Sequence, residues 1–307
     1  MFDILCLGEA LVELNQAAPG GSYAIGFGGD TSNVAIAAAR CGARSAYFTI
    51  VGGDNFGQAL LDLWVREGVE ARCVKANGGA HTGIYFVTHT QAGHEFSYMR
   101  AGSAASRMSE ADLPVDIIRD ARVLLVSAIS QAISSSAADA VFEAIAIARA
   151  AGKLVAYDTN LRLKLWPLTR ARAIIHEAMR SIDIALPSMD DATQLTGLGD
   201  AGAILDYYLR LGAKIVALKM GARGACVATP ARRETIAPLR VAAIDATGAG
   251  DAFDGAFLSE FLRGDDPFAA ARFANAAAAL STRGLGAVAP LPTRAAVIAA
   301  LAGATPR

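Results

Sequence analysis

The residues best suited to chemistry form the segment Asp245-Ala246-Thr247-Gly248-Ala249-Gly250-Asp251. Gly248 and Gly250 allow a sharp turn and a close approach to a ligand, because neither carries a Cβ. The mostly apolar residues 252–258 predict a helix, whose first N–H groups would point into the turn and favour an anion there. Asp251 could accept a proton from a hydroxyl group that attacks phosphorus. The segment favours phosphoryl transfer, although a tight turn followed by a helix-stabilising carboxylate explains the same residues.

A second glycine turn, at residues 27–33, precedes another predicted helix. Gly28 and Gly29 allow close backbone approach, while Asp30 and Asn33 could bind the hydroxyl groups of a sugar. Ordinary helix capping is the competing interpretation, since Asp, Thr, Ser and Asn all cap helices well.

Two arginines are candidates for binding an anion. Arg162 closes the polar segment 158–162, which follows a predicted buried strand, and Arg100 ends a predicted hairpin strand. Arginine grips a carboxylate through two parallel hydrogen bonds, which lysine cannot reproduce. If both converged on one site, they would suit an acidic substrate or a transferring phosphoryl group; each arginine alone is more often a surface ion-pair partner.

The segment 219–224, from Lys219 to Gly224, could form a turn that accepts a nucleotide. The chain has no G-x-x-x-x-G-K-[ST] motif, which disfavours a P-loop kinase, and its first strand–helix turn lacks G-x-G-x-x-G, which disfavours a nicotinamide dehydrogenase. The four histidines show no H-E-x-x-H spacing, so zinc binding is not expected.

Composition limits the possible partners. The 307 residues are 53% hydrophobic and 19% charged, with a net charge of −1 and no long basic run, which disfavours nucleic-acid binding. The four cysteines are scattered and favour reduced thiols over a disulfide framework. The first residues do not resemble a signal peptide, and no uncharged apolar run reaches membrane-spanning length. We therefore expect a cytoplasmic protein that does not enter a membrane.

These segments need a scaffold, and the hydrophobic pattern predicts an α/β fold. Short apolar runs typical of buried strands alternate with helical patterns, which indicates a mostly parallel sheet with helices on both faces. The predicted strands are Ile4–Leu7, Tyr47–Val51, Val123–Ser127, Leu154–Tyr157, Ile182–Leu186 and Ile215–Leu218. The predicted helices are Thr31–Arg40, Asn55–Glu67, Ser136–Ala151, Arg170–Arg180 and Ala201–Leu211. In such folds ligands bind beyond the carboxyl ends of the strands.

One region departs from this alternation. Residues 83–89 and 94–100 predict an antiparallel hairpin around Gln91-Ala92-Gly93, and Ser22–Phe27 predicts another extended segment. We interpret residues 1–307 as a single domain with β excursions at about 11–27 and 72–101. The excursions could form a lid or a subunit contact, such as a homodimer interface, or only an edge hairpin.

The motifs resemble those of the ribokinase-type (PfkB) carbohydrate kinases. The resemblance covers nearly the whole chain: residues 28–35 are similar to the family's N-terminal glycine signature, and 245–253 to its long, specific C-terminal signature. It implies a ribokinase-like α/β core with a β lid, the cofactors ATP and Mg²⁺ with K⁺ as a further candidate, and phosphorylation of a sugar hydroxyl.

Within the family, several segments are most similar to 2-keto-3-deoxygluconate kinases: 82–86, 96–106, 127–130, and 160–162 with 165–166. This similarity implies ATP-dependent phosphorylation of the 6-hydroxyl of that sugar acid. It implies that the substrate site is lined by Gly29, Asp30, Asn33, Tyr85, Tyr98, Arg100, Ile129, Arg162 and Asp251.

The resemblance also implies roles around the nucleotide. Asp251 would be the base, with Gly248, Ala249 and Gly250 donating N–H groups and Arg162 stabilising the transferring group. The nucleotide would lie near Ser188, Lys219, Gly221, Gly224, Thr247, Gly248, Gly250 and Asn275. Asp191, one methylene shorter than the family's usual Glu, would act on Mg²⁺ through water, and Asp245 is a possible site for a monovalent cation. A fructokinase or other neutral-sugar kinase is the alternative, and a non-catalytic sugar or nucleotide sensor is a weaker one.

Overall fold

The computed structural model describes residues 1–16, 18–90 and 93–304. Its strands are β1 Ile4–Leu7, β2 Leu11–Gln16, β3 Tyr23–Gly28, β4 Ser45–Phe48, β5 Ile50–Gly52, β6 Lys75–Asn77, β7 Ile84–Thr90, β8 Gly93–Met99, β9 Val123–Ser127, β10 Leu154–Asp158, β11 Ile184–Ala185, β12 Ile215–Lys219, β13 Ala225–Ala228 and β14 Arg233–Ile236. Its α-helices are α1 Asp30–Arg40, α2 Asn55–Arg66, α3 Val115–Asp120, α4 Ala128–Ala132, α5 Ser135–Ala150, α6 Leu168–Met179, α7 Met189–Thr196, α8 Ala201–Leu211, α9 Ala249–Gly264, α10 Pro267–Ser281 and α11 Arg294–Ala304.

The main sheet carries the fold. Among the described residues it has eight strands in the order β14-β13-β12-β11-β10-β9-β1-β4. The strands from β12 to β4 pair in parallel, and β13 and β14 add an antiparallel edge. The parallel pairing requires crossover connections, and helices supply most of them. The predicted α/β class with a mostly parallel sheet is confirmed.

Helices cover both faces of the main sheet because side chains alternate along each strand. Ile4 and Cys6 of β1 belong to a buried cluster that also contains side chains of α1, α9 and α10. Leu5 and Leu7 belong to a second cluster with side chains of α5, α6 and α8. The near-continuous apolar sequence of β1 therefore reflects burial on two sides.

A second sheet is built from the segments predicted as β excursions. In the described part of the chain its strand order is β3-β2-β7-β8, with β2 and β7 parallel and the outer pairs antiparallel. Only residues 8–10 separate β1 of the main sheet from β2 of the second sheet. The predicted turn at 91–93 includes residues outside those described.

The predicted strand Tyr47–Val51 is wrong as a single element. β4 ends at Phe48 and lies in the main sheet, whereas β5 starts at Ile50 and pairs in parallel with β6 in a separate small sheet. The apolar run continues through both because both are buried. Hydrophobicity alone did not reveal that the backbone changes its pairing partner at Thr49.

A close contact between α1 and α9 aligns the two glycine turns. A Cβ on Gly255 of α9 would lie 2.6 Å from the carbonyl oxygen of Val34 and 2.7 Å from the Cβ of Ala37 in α1. Only glycine permits this approach without a shift of one helix. The amino ends of α1 and α9 consequently lie side by side.

The ends of other helices follow their sequence signals. Asp54 caps α2, its carboxylate accepting a hydrogen bond from the N–H of Gly57, as predicted. Within the described ranges, none of the helices combines the length and apolar character needed to cross a membrane.

Replacement of Gly255 by alanine tests the α1–α9 contact. We expect Gly255→Ala to lower the free energy of unfolding by about 1–3 kcal/mol, because the added methyl group overlaps backbone atoms of α1. Gly264→Ala, at the end of the same helix, is the control, since a Cβ there meets nothing within 4 Å. Urea unfolding of both variants measures the difference, and equal stabilities would contradict the contact.

Candidate active site

A cavity of about 930 Å³ lies where the main sheet meets the second sheet. It is lined by residues that follow the carboxyl ends of β1, β9, β10, β11 and β12, together with the starts of α1 and α9. The predicted site residues that line it are Gly29, Asp30, Asn33, Tyr85, Tyr98, Arg100, Ile129, Arg162, Ser188, Asp191, Lys219, Gly221, Thr247, Gly248, Ala249, Gly250 and Asp251. The fold thus brings together positions that are more than 200 residues apart.

The glycine turn before α9 presents backbone donors to this cavity. Gly248 is left-handed, with φ 74°, a conformation that glycine adopts without steric cost. Within the described residues, no protein acceptor engages the N–H groups of Gly248, Gly250 and Asp251. Ala249 differs from the prediction, because its N–H donates to the carbonyl oxygen of Ala246 at 3.1 Å. The donors available to an anion are therefore those of 248, 250 and 251.

Asp251 occupies the first turn of α9 and faces the cavity with only 9% of its surface exposed. Its Oδ2 accepts a hydrogen bond of 2.8 Å from the side-chain amide of Asn33 in α1. Burial, together with the neighbouring carboxylate of Asp30, raises the pKa of Asp251 to about 8, although the hydrogen bond from Asn33 acts in the opposite direction. Such a carboxyl group can exchange a proton near neutral pH.

Asp30 is held at the start of α1. Its carboxylate accepts hydrogen bonds from the N–H of Thr31 at 2.8 Å and from the side-chain amide of Asn160 at 3.0 Å. Gly29, with φ 107°, places the turn so close to β1 that a Cβ would lie 2.4 Å from the carbonyl oxygen of Glu9. Burial raises the pKa of Asp30 as well. Asp30 is therefore not the N-cap of α1, which is Gly29, and its carboxylate links the start of α1 to Asn160 after β10.

Lys219 lies beneath the glycine turn. Its ammonium donates hydrogen bonds to Asp158 at 3.1 Å and to both carboxylate oxygens of Asp254, at 3.0 and 2.9 Å. Asp254 is fully buried, and the Lys219 side chain is 11% exposed. Lys219, which was predicted to lie at the nucleotide, therefore lines the cavity, but its N–H donors already form hydrogen bonds to Asp158 and Asp254.

Arg100 pairs with a carboxylate that the sequence interpretation missed. Its guanidinium donates to Glu9, whose other oxygen accepts a hydrogen bond from the hydroxyl of Ser103 at 3.1 Å. Glu9 is 1% exposed, and burial raises its pKa even though Arg100 opposes this. The available signal was an acidic residue two positions after a buried strand, at the end of the sheet where ligands bind.

Three further cations line the cavity: Arg162, Lys164 and Arg223. All three are exposed, and in the described part of the chain none of them forms an ion pair. Arg162 donates to the carbonyl oxygen of Leu161 at 3.0 Å, which leaves other guanidinium donors for a ligand. Among these three, Lys164 and Arg223 were not predicted as site residues.

Ser188 and Asp191 are placed together at the start of α7. The hydroxyl of Ser188 accepts a hydrogen bond from the N–H of Asp191, and both residues line the cavity. Burial raises the pKa of Asp191, and no basic side chain of the described residues pairs with it at contact distance. A carboxylate oxygen of this kind fits a hydrated Mg²⁺, which commonly uses one or two carboxylates together with substrate phosphates.

The structure does not bring three predicted residues into the cavity lining: Gly224, Asn275 and Asp245. Gly224 packs against the carbonyl oxygen of Ile236, which a Cβ would approach to 2.1 Å. The amide of Asn275 donates to the same carbonyl at 3.2 Å, so it holds the chain after β14. Asp245 accepts hydrogen bonds from the N–H and hydroxyl of Thr247 and from the N–H of Gly286. No cluster of metal-binding side chains occurs among the described residues, and the cation site at Asp245 stays a prediction.

Comparison with known proteins identifies the family of this chain. A model of the pfkB family carbohydrate kinases matches residues 1–294. The 2-dehydro-3-deoxygluconokinase of Thermoproteus tenax is 35% identical, covering 91% of this chain and 88% of that protein. Fructokinase-2 of Solanum habrochaites is 34% identical, covering 98% of this chain and 96% of that protein. The crystal structure of a fructokinase from Vibrio cholerae O395 in fructose, ADP and calcium ion bound form has a TM-score of 0.88 at 29% identity, covering 98% of this chain and 99% of that one.

The raised pKa of Asp251 predicts a stability effect. The unfolded carboxyl group ionises near its ordinary pKa of 3.8 and the folded one at about 8, so ionisation weakens the folded state as pH rises between these values, by about 1.4 kcal/mol per pH unit at most. We expect Asp251→Asn to melt at a higher temperature than the native protein. The difference between the two melting temperatures should increase from pH 5 to pH 8 and then stay constant. Thermal unfolding followed by circular dichroism measures it.

Asp190→Asn is the control for this experiment, because Asp190 also lines the cavity but is exposed. We expect it to show no such widening. A gap for Asp251→Asn that stays constant from pH 5 to pH 9 would contradict the raised pKa.

Proposed function

The chain belongs to the pfkB family of carbohydrate kinases, and from this premise we propose that it transfers the γ-phosphoryl group of ATP to the 6-hydroxyl of 2-keto-3-deoxygluconate. The observation that carries the proposal is the position of Asp251. Its carboxyl group shares a single cavity with unengaged backbone donors and with Arg100 and Arg162. The acceptor hydroxyl, the phosphoryl group and the sugar carboxylate would each find a complementary group there.

Asp251 would act as the general base. Its pKa of about 8 allows it to be ionised in an appreciable fraction of molecules near neutral pH and to accept the proton of the attacking hydroxyl group. Asn33 fixes the carboxylate by donating to Oδ2, which leaves Oδ1 for the substrate. Asp30 and Asn160, joined by a hydrogen bond, would bind neighbouring sugar hydroxyls.

Phosphoryl transfer depends mainly on positioning and on stabilisation of charge. The N–H groups of Gly248 and Gly250 would donate to the transferring group, and Arg162, which lines the same cavity, would add a positive charge. Ser188, Gly221 and Thr247 line the part of the cavity in which we place ATP. Mg²⁺ would neutralise phosphate charge when bound, and Asp191 would hold it through water.

The choice of an acidic sugar depends on the cations of the cavity. Arg100 and Arg162 would orient the carboxylate of the substrate, and Lys164 adds a further positive charge. The charge of Arg100 is already partly compensated by Glu9, whereas Arg162 forms no ion pair with a described residue. Arg162 would therefore contribute more to carboxylate affinity, and Glu9 would orient Arg100.

The second sheet would serve as a lid. Tyr85, Tyr98 and Arg100 reach the cavity from β7, β8 and the residue after β8. Closure of this sheet over the substrate would exclude water and limit hydrolysis of ATP. Ile25 and Met99 of the same sheet are 62% and 58% exposed, and a homodimer contact would cover such side chains.

Fructose is the second candidate substrate. The observation that favours it is the Glu9–Arg100 pair, which lowers the net positive charge where a sugar carboxylate would lie. Fructokinases also stand beside 2-dehydro-3-deoxygluconokinases among the relatives, at similar identity.

The base assignment predicts a loss of turnover. We expect Asp251→Asn to lower kcat by at least about 1,000-fold with little change in the KM for ATP, because the amide cannot accept the proton but keeps the shape of the site. A coupled assay of ADP release measures both constants. Turnover within tenfold of the native rate would refute the assignment.

The substrate assignment predicts selective effects of Arg162. With 2-keto-3-deoxygluconate, fructose, ribose and a nucleoside as acceptors, we expect the highest kcat/KM for the sugar acid. Arg162→Ala should lower that value by about 10- to 100-fold, corresponding to about 1.4–2.7 kcal/mol, while any turnover of fructose changes little. Arg170→Ala is the control, since Arg170 is exposed and lies outside the cavity lining. Preferred turnover of fructose would favour the second candidate.

A further inference from the structure

The ammonium of Lys219 lies in a place where it can influence the reaction without touching the reactants. β12 ends at Lys219, and the side chain extends under the first turn of α9. A Cβ on Gly250 would lie 3.7 Å from Nζ, so the positive charge sits directly behind the turn that presents the anion donors. Asp254 lies about one helical turn after Asp251, and both of its carboxylate oxygens accept hydrogen bonds from the ammonium of Lys219.

All three donors of this ammonium have acceptors. Asp158, at the end of β10, takes one hydrogen bond, and the two oxygens of Asp254 take the others. A lysine saturated in this way cannot also coordinate a phosphate without breaking a buried ion pair, and breaking such a pair is costly. The sequence prediction that Lys219 binds the nucleotide therefore conflicts with its surroundings.

We propose that Lys219 is a positioning residue for the phosphoryl transfer: clamped by Asp158 and Asp254, it anchors the glycine turn of α9 and balances the buried carboxylates around Asp251. The proposal rests on the role of Asp251 as the base. The Lys219–Asp254 pair thereby determines both the charge around Asp251 and the position of the glycine turn.

The charges around Asp251 make such a balance necessary. The charged and titratable groups that face it are Asp30 of α1, Asp158 of β10, Asp254 of its own helix, Lys219 of β12 and Tyr85 of β7. Lys219 is the cation among these described neighbours, and it opposes the effect of the carboxylates on the pKa of Asp251. Removal of one member of the clamp should change the ionisation of Asp251 in a direction that follows from its charge.

Asp254→Asn is the first test. It keeps Lys219 and its anchor to Asp158 but removes one negative charge near Asp251. We expect the pH profile of kcat/KM, measured by ADP release between pH 5 and pH 10, to shift to an apparent pKa lower by about one unit. A merely structural role of Asp254 would reduce activity without moving the profile.

The double variant Lys219→Met/Asp254→Asn is the second test. Replacement of Lys219 alone would leave both Asp158 and Asp254 buried without their cation. The double variant removes one positive and one negative charge, so it leaves only Asp158 without the cation and does not change the net charge near Asp251. We expect its apparent pKa to return to within about half a unit of the native value, while kcat falls about tenfold because the turn has lost its anchor and the charge behind it. The KM for ATP should change less than threefold.

Asp183→Asn is the matched control. Asp183 is also buried and ion-paired, with Arg149 and Lys214, but it precedes β11 at the opposite end of the sheet. This variant should lower the melting temperature and leave the pH profile in place. Melting temperatures of all variants verify that they are folded.

Three outcomes would overturn the proposal. The first is an unshifted pH profile in Asp254→Asn; the second is a double variant with native kcat. The third is a rise of at least tenfold in the KM for ATP of the double variant with an unshifted pH profile, which would make Lys219 a direct phosphate ligand.

Asp251→Asn, assayed in parallel, distinguishes failure of the Lys219 inference from failure of the base assignment. If Asp251→Asn is inactive while the pH profile of Asp254→Asn does not shift, only the inference on Lys219 fails. If Asp251→Asn is active, the base assignment fails.

Discussion

The close approach of α1 and α9 is the constraint on which the site depends. Gly255 lets the two helices touch, and their amino ends then open into one cavity beside the carboxyl ends of the parallel strands. The hydrogen bond from Asn33 to Asp251 spans this contact and fixes the carboxylate. Two glycine turns, each suited to a ligand on its own, thereby become the two halves of a single site. A wider separation of the two helices would move the start of α1 away from the start of α9 and break the hydrogen bond between Asn33 and Asp251.

The same contact creates an electrostatic cost. Asp30, Asp158, Asp251 and Asp254 are all buried near one another, and burial raises the pKa of Asp251 and Asp254. Lys219 compensates part of this charge by pairing with two of them. The protein therefore keeps a poorly solvated carboxyl group in the cavity, which weakens the fold but gives Asp251 a pKa of about 8, at which it can exchange a proton near neutral pH. Arg100 shows a similar compromise. Its ion pair with Glu9 stabilises the guanidinium within the protein but reduces the net positive charge that this part of the cavity presents to a ligand.

Much of the scaffold could be predicted from local patterns. The buried strands at 4–7, 123–127 and 215–218 were recognisable because they are short and apolar, and the helices because their apolar positions repeat every three to four residues. Hydrophobicity did not predict the break within residues 47–51, where one apolar run contains parts of β4 and β5, which belong to different sheets. Asn275 shows a related limit: local sequence did not reveal that its amide, in α10, donates to the carbonyl oxygen of Ile236 at the end of β14.

The sequence by itself determined the local chemistry: which residues are glycine, where a carboxylate follows a glycine turn, and which segments are strands or helices. These features depend on covalent neighbours and on the periodicity of a few turns of chain. Only the tertiary structure decided the partners: Glu9 for Arg100, Asn33 for Asp251, and Asp158 and Asp254 for Lys219. These pairs are separated by between 35 and 218 positions, so their choice rests on helix packing and strand order, which no local pattern encodes.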